Sequence, residues 1–267
     1  MIDTMKQVAI AAGQFMLGAQ DDTDSTEKSN AKDFVTVADI KSQGILADGL
    51  RAAFPDAVIL SEEDSEPDRA ALYEPDFTGF VLDPIDGTYN FKRDMRESAI
   101  SIGYIEAGQL SAGVIHDPYK NELYEAQVGQ GAFRNGEPIR VSSQSSLDGA
   151  SVATSNSYDG EAMARNLRRH LAIYEQTGVM PWTHCQGSGV LNMTYVACGR
   201  FDAFHHNGTK PWDNAAAFLI AQEAGAIITG LHGQTVTFTT DNFLMANPAV
   251  HDLLLEVFAA LPDELLR

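Results

Sequence analysis

Cysteine is scarce in this sequence, and long hydrophobic runs are absent. The 267 residues include two cysteines, Cys185 and Cys198, which are too few for a disulfide framework, so we expect free thiols. No run approaches the roughly 20 apolar residues of a transmembrane helix. The N-terminal residues lack a basic stretch followed by an apolar core, so no signal peptide is expected. These absences predict a cytoplasmic protein without a membrane partner.

Positive charge is the other shortage. Eighteen lysines and arginines against 37 aspartates and glutamates leave a formal net charge of −19. Such a surface disfavours direct binding of nucleic acid or an anionic membrane. It would also repel a phosphorylated substrate, so a phosphatase of this composition needs bound cations to reverse the local field. The content of 44% hydrophobic and 21% charged residues is that of a globular chain, long enough for one large domain or two compact halves.

The sequence LDPIDGTYNF at residues 82–91 carries the most chemistry. The apolar run before it, residues 79–82, predicts a buried strand, and we expect Pro84 to end that strand because proline cannot donate to a sheet. Asp83 and Asp86 then lie three residues apart on a tight turn. Like charges so close repel each other unless they are protonated or share a cation.

The next two residues add a second function to this turn. The amides of Gly87 and Thr88, if they begin a helix, face the same space and suit a phosphate group. A capped turn is the simpler alternative explanation of this pattern. A calcium loop is disfavoured, because Ile85 occupies the place of the second acidic ligand and the distal glutamate is missing.

A second acidic segment follows another predicted strand, residues 57–60. Glu62 and Glu63 come directly after that strand, and the carboxyl ends of strands are where open α/β sheets gather ligands. A solvated acidic loop is the alternative for these residues.

The N-terminal half reads as helices followed by a largely antiparallel sheet. Hydrophobic periodicity predicts a helix at residues 2–19, a polar loop at 21–29 and a helix from Asp39 to about Phe54. Strands are predicted at residues 99–105, 112–115 and 122–126, with the helices on one face of the sheet. Residues 142–149 are rich in serine and weakly apolar, and they divide the chain into predicted halves at 1–145 and 146–267 that form one catalytic unit.

The C-terminal half alternates strands and helices. Strands are predicted at residues 150–154, 201–205, 226–229 and 243–246, and helices at 160–174, after Gly187-Ser188, from 211 to 225 and near 250–261. Asp213 begins the third of these helices, where an aspartate is commonly a cap.

Taken together, these segments resemble the inositol monophosphatase family, which consists of lithium-sensitive, magnesium-dependent phosphomonoesterases. The resemblance rests on three motifs in order along the chain: Glu62-Glu63, the DPIDGT sequence at residues 83–88 with Asn90-Phe91, and the WDNAA sequence at 212–216. It continues through Lys28, residues 33–36 and Asp39, and through residues 131–133 and 135–136. It covers nearly the whole chain. The resemblance implies an α/β fold of the α+β type, layered α/β/α/β/α as in sugar phosphatases, and a homodimer.

The resemblance also implies a role for each matching residue. Glu62, Asp83 and the carbonyl of Ile85 would hold one Mg²⁺ ion, and Asp83, Asp86 and Asp213 a second. A third ion would lie near Glu62. In catalysis, Asp39 and Thr88 would orient and deprotonate the attacking water, and Glu62 would also take part. The amides of Gly87 and Thr88 would hold phosphate. The residues implied at the phosphate or the substrate are Lys28, Asp86, Gly187, Ser188, Gly189, His206 and Asp213.

Three positions depart from the family pattern. His206 stands where inositol phosphatases often carry a glutamate that binds a ring hydroxyl, His184 replaces a common arginine, and Ala217 replaces a glycine. The first two concern substrate recognition. The sequence therefore predicts a phosphatase of inositol 1-phosphate or a similar small polyol or sugar phosphate, with a small phosphorylated metabolite as its partner.

Other functions stay open at this point. Relatives with the same mechanism hydrolyse histidinol phosphate, fructose bisphosphate or 3′-phosphoadenosine 5′-phosphate. Lys92 and Arg93 could serve a second anionic group, although a solvated surface pair is the favoured explanation. The chain could also be a regulatory or binding protein on this scaffold. A zinc site built from His205, His206 and the two cysteines is disfavoured, because adjacent strand residues face opposite ways and the cysteine spacing matches no zinc signature.

Overall fold

The computed structural model describes residues 1–19 and 24–266. The helices in this part of the chain are α1 Ile2–Gly18, α2 Val37–Ala53, α3 Glu66–Arg69, α4 Thr88–Lys92, α5 Gly160–Thr177, α6 Gly189–Ala197, α7 Pro211–Glu223, α8 Pro248–Ala259 and α9 Asp263–Leu266, with a 3₁₀ turn at Ala70–Tyr73. The strands are β1 Ser25–Asn30, β2 Asp33–Thr36, β3 Ile59–Ser61, β4 Gly79–Asp86, β5 Ala99–Glu106, β6 Gln109–Asp117, β7 Glu122–Gln127, β8 Ala132–Arg134, β9 Glu137–Ile139, β10 Ser151–Ser155, β11 Trp182–Gln186, β12 Ala203–Asn207, β13 Ile227–Thr229 and β14 Asn242–Ala246.

The strands form two sheets and a hairpin. The first sheet has seven strands in the order β3-β4-β5-β6-β7-β8-β9, and all its pairs are antiparallel except β3 with β4. The second has five strands in the order β11-β10-β12-β14-β13, with β10 parallel to both of its neighbours. The antiparallel pair β1-β2 stands apart.

Helices cover both faces of each sheet because the strands present apolar side chains on both sides. Helices α1 and α2 pack on the outer face of the first sheet, where Met5, Leu46 and Ile102 are buried together. Helices α6 and α7 fill the space between the sheets. Helices α5 and α8 cover the outer face of the second sheet. This arrangement confirms the expected layered α/β/α/β/α fold. It also corrects one expectation, because the first sheet carries helices on both faces.

Helix α7 lies unusually close to the first sheet. A Cβ atom at Gly103 would come within 2.5 Å of the Ala215 Cβ, and one at Gly113 within 2.9 Å of the Ala216 Cα. The two glycines and the small α7 residues therefore allow a close approach that larger side chains would prevent. This contact places the first turn of α7, with Asp213, beside β4.

Strand β4 does not end at Pro84 as expected. It continues to Asp86, with Asp83 opposite Ser101 and Asp86 opposite Ala99 on β5. The three residue steps from Asp83 to Asp86 on β4 therefore correspond to only two steps on β5, from Ser101 to Ala99, so β4 contains a β-bulge. A bulge is one of the few positions in a sheet where proline is tolerated.

Other predicted boundaries also change. The loop expected at residues 21–29 is strand from Ser25 onward, and residues 20–23 lie outside the described residues. Strand β11 and the short strands β8 and β9 were not predicted, because their sequences lack the apolar alternation of half-buried strands. The division at residues 145/146 stays a prediction; the two sheets lie on either side of it. Among the described residues, no helix is both long and apolar enough to cross a bilayer.

Candidate metal and phosphate site

Three carboxylates from two distant segments meet between the sheets. Asp83 and Asp86 flank the bulge of β4, and Asp213 is the third residue of α7. One oxygen of each carboxylate lies within 4.8 Å of the others. In a regular strand, residues three apart point to opposite faces, so the extra residue of the bulge is what brings Asp83 and Asp86 to one side.

The electrostatics of this cluster favour a cation. Burial, followed by the charges of Glu62 and Asp86, raises the pKa of Asp83 well above its usual value. Burial likewise raises the pKa of Asp86 to about 7, and burial together with the charge of Asp86 raises the pKa of Asp213 well above its usual value. The three groups therefore repel one another when ionised and need either protons or a divalent ion.

The segment before α6 contacts the cluster through Asp86. The Ser188 hydroxyl and the Val190 amide, which lies 3.1 Å away, both donate to the Asp86 Oδ2 atom. Gly187 and Gly189 flank Ser188, so the whole expected substrate segment lies beside the cluster. The contact of Val190 was missed in the sequence, although a Gly-Ser pair before a helix signals free amides in its first turn. On the other side, the Lys210 amide donates to Asp213 Oδ2 at 2.7 Å, so Asp213 is a cap as well as a cluster member.

Glu62 lies beside this cluster with its carboxylate bound to a lysine. The Lys28 ammonium on β1 lies 2.9 Å from Glu62 Oε1 and 2.8 Å from Glu63 Oε1. Burial and the charge of Glu62 raise the pKa of Glu63 to about 7. The structure therefore pairs Lys28 with both glutamates, and its place at the phosphate or the ions stays a prediction.

Thr88 and Asp39 also meet, across 49 residues of sequence. The Thr88 hydroxyl lies 3.2 Å from Asp39 Oδ1 and 3.1 Å from the Ile85 carbonyl oxygen. Burial raises the pKa of Asp39 to about 6, against the opposing effect of hydrogen bonds from Thr36. Gly87 precedes α4 with φ of 81° and ψ of 41°, a left-handed conformation that favours glycine. This conformation turns the chain so that Thr88 begins a helix at the end of β4.

The predicted substrate residue His206 is buried on β12. Its ring stacks on Phe204 with centroids 5.8 Å apart, while the neighbouring His205 contacts Phe258 on the other face. The expected alternation of the two histidines is therefore confirmed. His184 lies elsewhere, with Nε2 2.8 Å from the Ser151 hydroxyl.

Tyr158 is a residue near the site that the sequence did not indicate. It lies on the loop between β10 and α5, and 48% of the residue is exposed. Burial, then the charges of Glu62, Asp33, Asp86 and Asp213, raise the pKa of its phenol above the ordinary value. These charges belong to the acidic site, so Tyr158 lies near it. A tyrosine in a polar loop carries no sequence signal for such a position.

Known proteins match the chain along its whole length. A sequence model of the inositol monophosphatase family matches residues 1–263. A fructose-1,6-bisphosphatase/inositol-1-monophosphatase of Thermotoga maritima is 35% identical over 90% of this chain and 88% of the relative. The Nus factor SuhB of Escherichia coli K12 is 32% identical over 99% of this chain and 97% of the relative.

Solved structures agree with these sequence matches. A Thermotoga maritima IMPase superposes with a TM-score of 0.84 at 32% identity, covering 99% of this chain and 98% of the other. An IMPase/NADP phosphatase complexed with Mg²⁺ and phosphate superposes with a TM-score of 0.79 at 25% identity, covering 94% and 92%. The sequence matches, the shared fold and the acidic cluster agree, and the chain belongs to the inositol monophosphatase family.

Proposed function

We propose that this metal-dependent phosphatase uses Mg²⁺ to hydrolyse the monophosphate of a small polyol or sugar, with inositol 1-phosphate as the first candidate. The observation that carries the proposal is the cluster of the buried Asp83 and Asp86 with the half-buried Asp213, each of which has an oxygen within 4.8 Å of the others. Acidic groups are rarely buried together without a partner. Carboxylate oxygens beside helix-initiating amides suit a metal ion and a phosphate in the same space.

The donor set fits Mg²⁺, which prefers oxygen ligands in octahedral geometry and is commonly held by a few carboxylates together with substrate phosphate. Asp83, Asp86 and Asp213 would hold one ion, Glu62, Asp83 and the Ile85 carbonyl another, and a third would lie near Glu62. When bound, these ions supply positive charge that neutralises the phosphate and the charge developing in the transition state.

The remaining residues position the attacking water and the phosphate. We propose that Asp39 accepts the proton of that water, with Thr88 between them, because the two side chains lie 3.2 Å apart. The pKa of Asp39, about 6, leaves it mostly ionised and able to accept a proton at neutral pH. The amides of Gly87 and Thr88 would bind phosphate oxygens. Lys28 would neutralise charge at Glu62 and the phosphate.

The leaving group would contact the Gly187-Ser188-Gly189 segment and His206. Burial and the charge of Arg169 lower the pKa of His206 to about 3, so its imidazole is neutral where inositol phosphatases often have a glutamate. We therefore expect inositol 1-phosphate not to be strongly preferred over other small phosphates, and fructose bisphosphate, histidinol phosphate and 3′-phosphoadenosine 5′-phosphate stay as alternatives. Lys92 is less suited to a second phosphate, because its ammonium lies 2.5 Å from the Ser25 hydroxyl and 4.4 Å from the Phe34 ring centroid.

We further propose a cytoplasmic homodimer that does not contact nucleic acid directly. The net charge of −19 supports the last point. Strand β11 is the edge of its sheet and exposes Trp182, of which 73% is accessible, with Met180 beside it at 50%. An apolar edge strand is a surface that a second subunit would cover. Light scattering after size exclusion tests this, and a monomeric wild type would refute it.

A second candidate is a regulatory role in transcription, because relatives of nearly the same length are Nus factors. Phosphate release from a panel of monophosphates, with and without Mg²⁺, separates the two. We expect the wild type to hydrolyse at least one substrate only with Mg²⁺, and Asp83→Asn and Asp213→Asn to lose that activity. A wild type that hydrolyses none of them would favour the regulatory role.

A further inference from the structure

The buried residues beside His206 determine which of its ring atoms carries the proton. Asn166 on α5 is fully buried, and its Nδ2 atom lies 3.0 Å from His206 Nδ1. His206 is itself 3% exposed. In a hydrogen bond between an amide and a neutral imidazole, either partner can donate. Which of them donates here depends on what else the Asn166 amide contacts.

Arg169 fixes the orientation of that amide. Its Nη1 atom lies 3.2 Å from Asn166 Oδ1, and its Nε atom donates to the Leu265 carbonyl at 2.6 Å. A guanidinium can only donate, and although burial and the charge of Arg165 lower the pKa of Arg169 to about 10, it stays protonated at neutral pH. The Asn166 oxygen is therefore the acceptor, and its nitrogen points away from Arg169.

The nitrogen of Asn166 has a second contact that agrees with this orientation. Nδ2 also lies 3.5 Å from the Asn207 carbonyl oxygen, which can only accept. Asn166 Nδ2 is thus the donor to His206, and His206 Nδ1 must be the unprotonated acceptor. Because the ring is neutral, its one proton lies on Nε2.

The Nε2 atom lies beside the segment that joins β12 to α7. A Cβ atom at Gly208 would lie 3.9 Å from His206 Nε2 and 3.3 Å from the Ser157 hydroxyl. Two residues further on, the Lys210 amide binds Asp213. Among the described residues, His206 Nε2 has no hydrogen-bond partner within the chain, so its N–H is available to a ligand.

We propose that Arg169 and Asn166 are positioning residues that hold His206 as an Nε2–H donor, so that the site presents a hydrogen-bond donor to a hydroxyl oxygen of the substrate. The proposal rests on the proposed function, because it takes the leaving group of the phosphate ester to lie at His206. The neutral His206 N–H donates to the oxygen of a substrate hydroxyl, whereas a glutamate at this position would accept the hydroxyl's hydrogen. The arrangement therefore selects the direction in which a hydroxyl of the leaving group points.

The first test is spectroscopic. Long-range ¹H–¹⁵N correlation spectra of the full chain labelled at histidine distinguish the two imidazole tautomers, and the spectrum of His206→Gln identifies the signals of His206. We expect the Nε2–H form in the wild type at pH 7. In Asn166→Asp, a carboxylate of the same size pairs with Arg169 and can only accept from Nδ1, so we expect the tautomer to change to Nδ1–H. A wild-type His206 that is protonated on Nδ1 or on both nitrogens would overturn the proposal.

The second test compares two substrates. We expect Asn166→Asp to raise the KM for inositol 1-phosphate by about three- to tenfold, the usual effect of one neutral hydrogen bond, with kcat changed by less than about twofold. The KM for p-nitrophenyl phosphate, whose leaving group has no hydroxyl besides the ester oxygen, should stay the same. Equal changes in KM for both substrates, or none for either, would contradict the proposal.

A matched variant controls for the added charge. Asn247 is buried and caps α8 by accepting from the Val250 amide, so Asn247→Asp puts a carboxylate at a helix start that accepts it. We expect it to change neither the His206 tautomer nor either KM. If the wild type hydrolyses neither these two esters nor any other monophosphate of the panel, the proposed function fails, whereas the wild-type spectrum still decides the protonation of His206.

Discussion

The Asp86→Asn substitution should stabilise the metal-free protein while it removes the activity. Asp86 is 8% exposed, and burial raises its pKa from 3.8 to about 7. A shift of this size corresponds to a cost of about 4 kcal/mol for keeping the carboxylate ionised in the folded state. Because Asp83 and Asp213 share the same repulsion, we attribute about 2–4 kcal/mol to Asp86 alone.

The direction follows from the number of protons bound. The folded pKa lies above the unfolded one, so between pH 4 and 7 the native state binds more protons than the unfolded state. The stability that this group contributes is therefore lost as the pH rises through about 7. Asparagine has no charge and still offers an oxygen to the Ser188 hydroxyl and the Val190 amide.

The assay is thermal and urea unfolding at pH 8 in EDTA and in Mg²⁺. In EDTA we expect Asp86→Asn to unfold about 5–10 °C above the wild type, and we expect added Mg²⁺ to stabilise the wild type more than the variant. Asp117→Asn is the control, because Asp117 is also buried and lies 3.2 Å from the Lys120 ammonium; this change should destabilise the protein. An Asp86→Asn variant that is less stable than the wild type in EDTA would show that the metal-free cluster is not repulsive.

Three further predictions test other parts of the structure. Thr88→Val should lower kcat by about 100-fold or more, since the hydroxyl that contacts Asp39 is lost, whereas Thr88→Ser should keep most of the activity; equal kinetics for the two variants would exclude a role for the hydroxyl. Lys28→Met should tighten Mg²⁺ binding by about three- to tenfold in calorimetry, because the ammonium competes with cations for Glu62, and weaker binding would contradict this competition. Burial lowers the pKa of His170 to about 4, so below pH 6.5 the unfolded state takes up a proton that the folded state does not. His170→Phe should therefore reduce the loss of stability between pH 7 and 5, measured in urea, by about 2 kcal/mol, and an unchanged loss would show that His170 is protonated in the fold.

Most of the layered architecture follows from hydrophobic patterning and from the family resemblance. The helical periodicity at residues 2–19 and the apolar run at 79–82 correspond to α1 and to the start of β4. Strand β11 was missed because an exposed edge strand, with Trp182 on its surface, lacks the apolar pattern of a buried one. The end of β4 was misplaced because proline usually stops a strand, and only the pairing with β5 shows that Pro84 lies in a bulge.

Local sequence determined the kinds of side chain in the site and their order along the chain. Carboxylates after strands, a glycine that permits a left-handed turn and a threonine that begins a helix are properties of short segments, so they can be recognised without a fold. Their chemistry points to a divalent ion and a phosphate group.

Tertiary structure alone decided which of these groups meet and in what state of charge. The bulge turns Asp83 and Asp86 to one side, and the close packing of α7 on Gly103 brings Asp213 to them from 127 residues away. The pairing of Lys28 with Glu62, and the contacts of Arg169 and Asn166 that place the proton of His206, likewise join segments far apart in sequence. Distances and burial between such segments set their interaction energies, and neither quantity is a property of the local sequence.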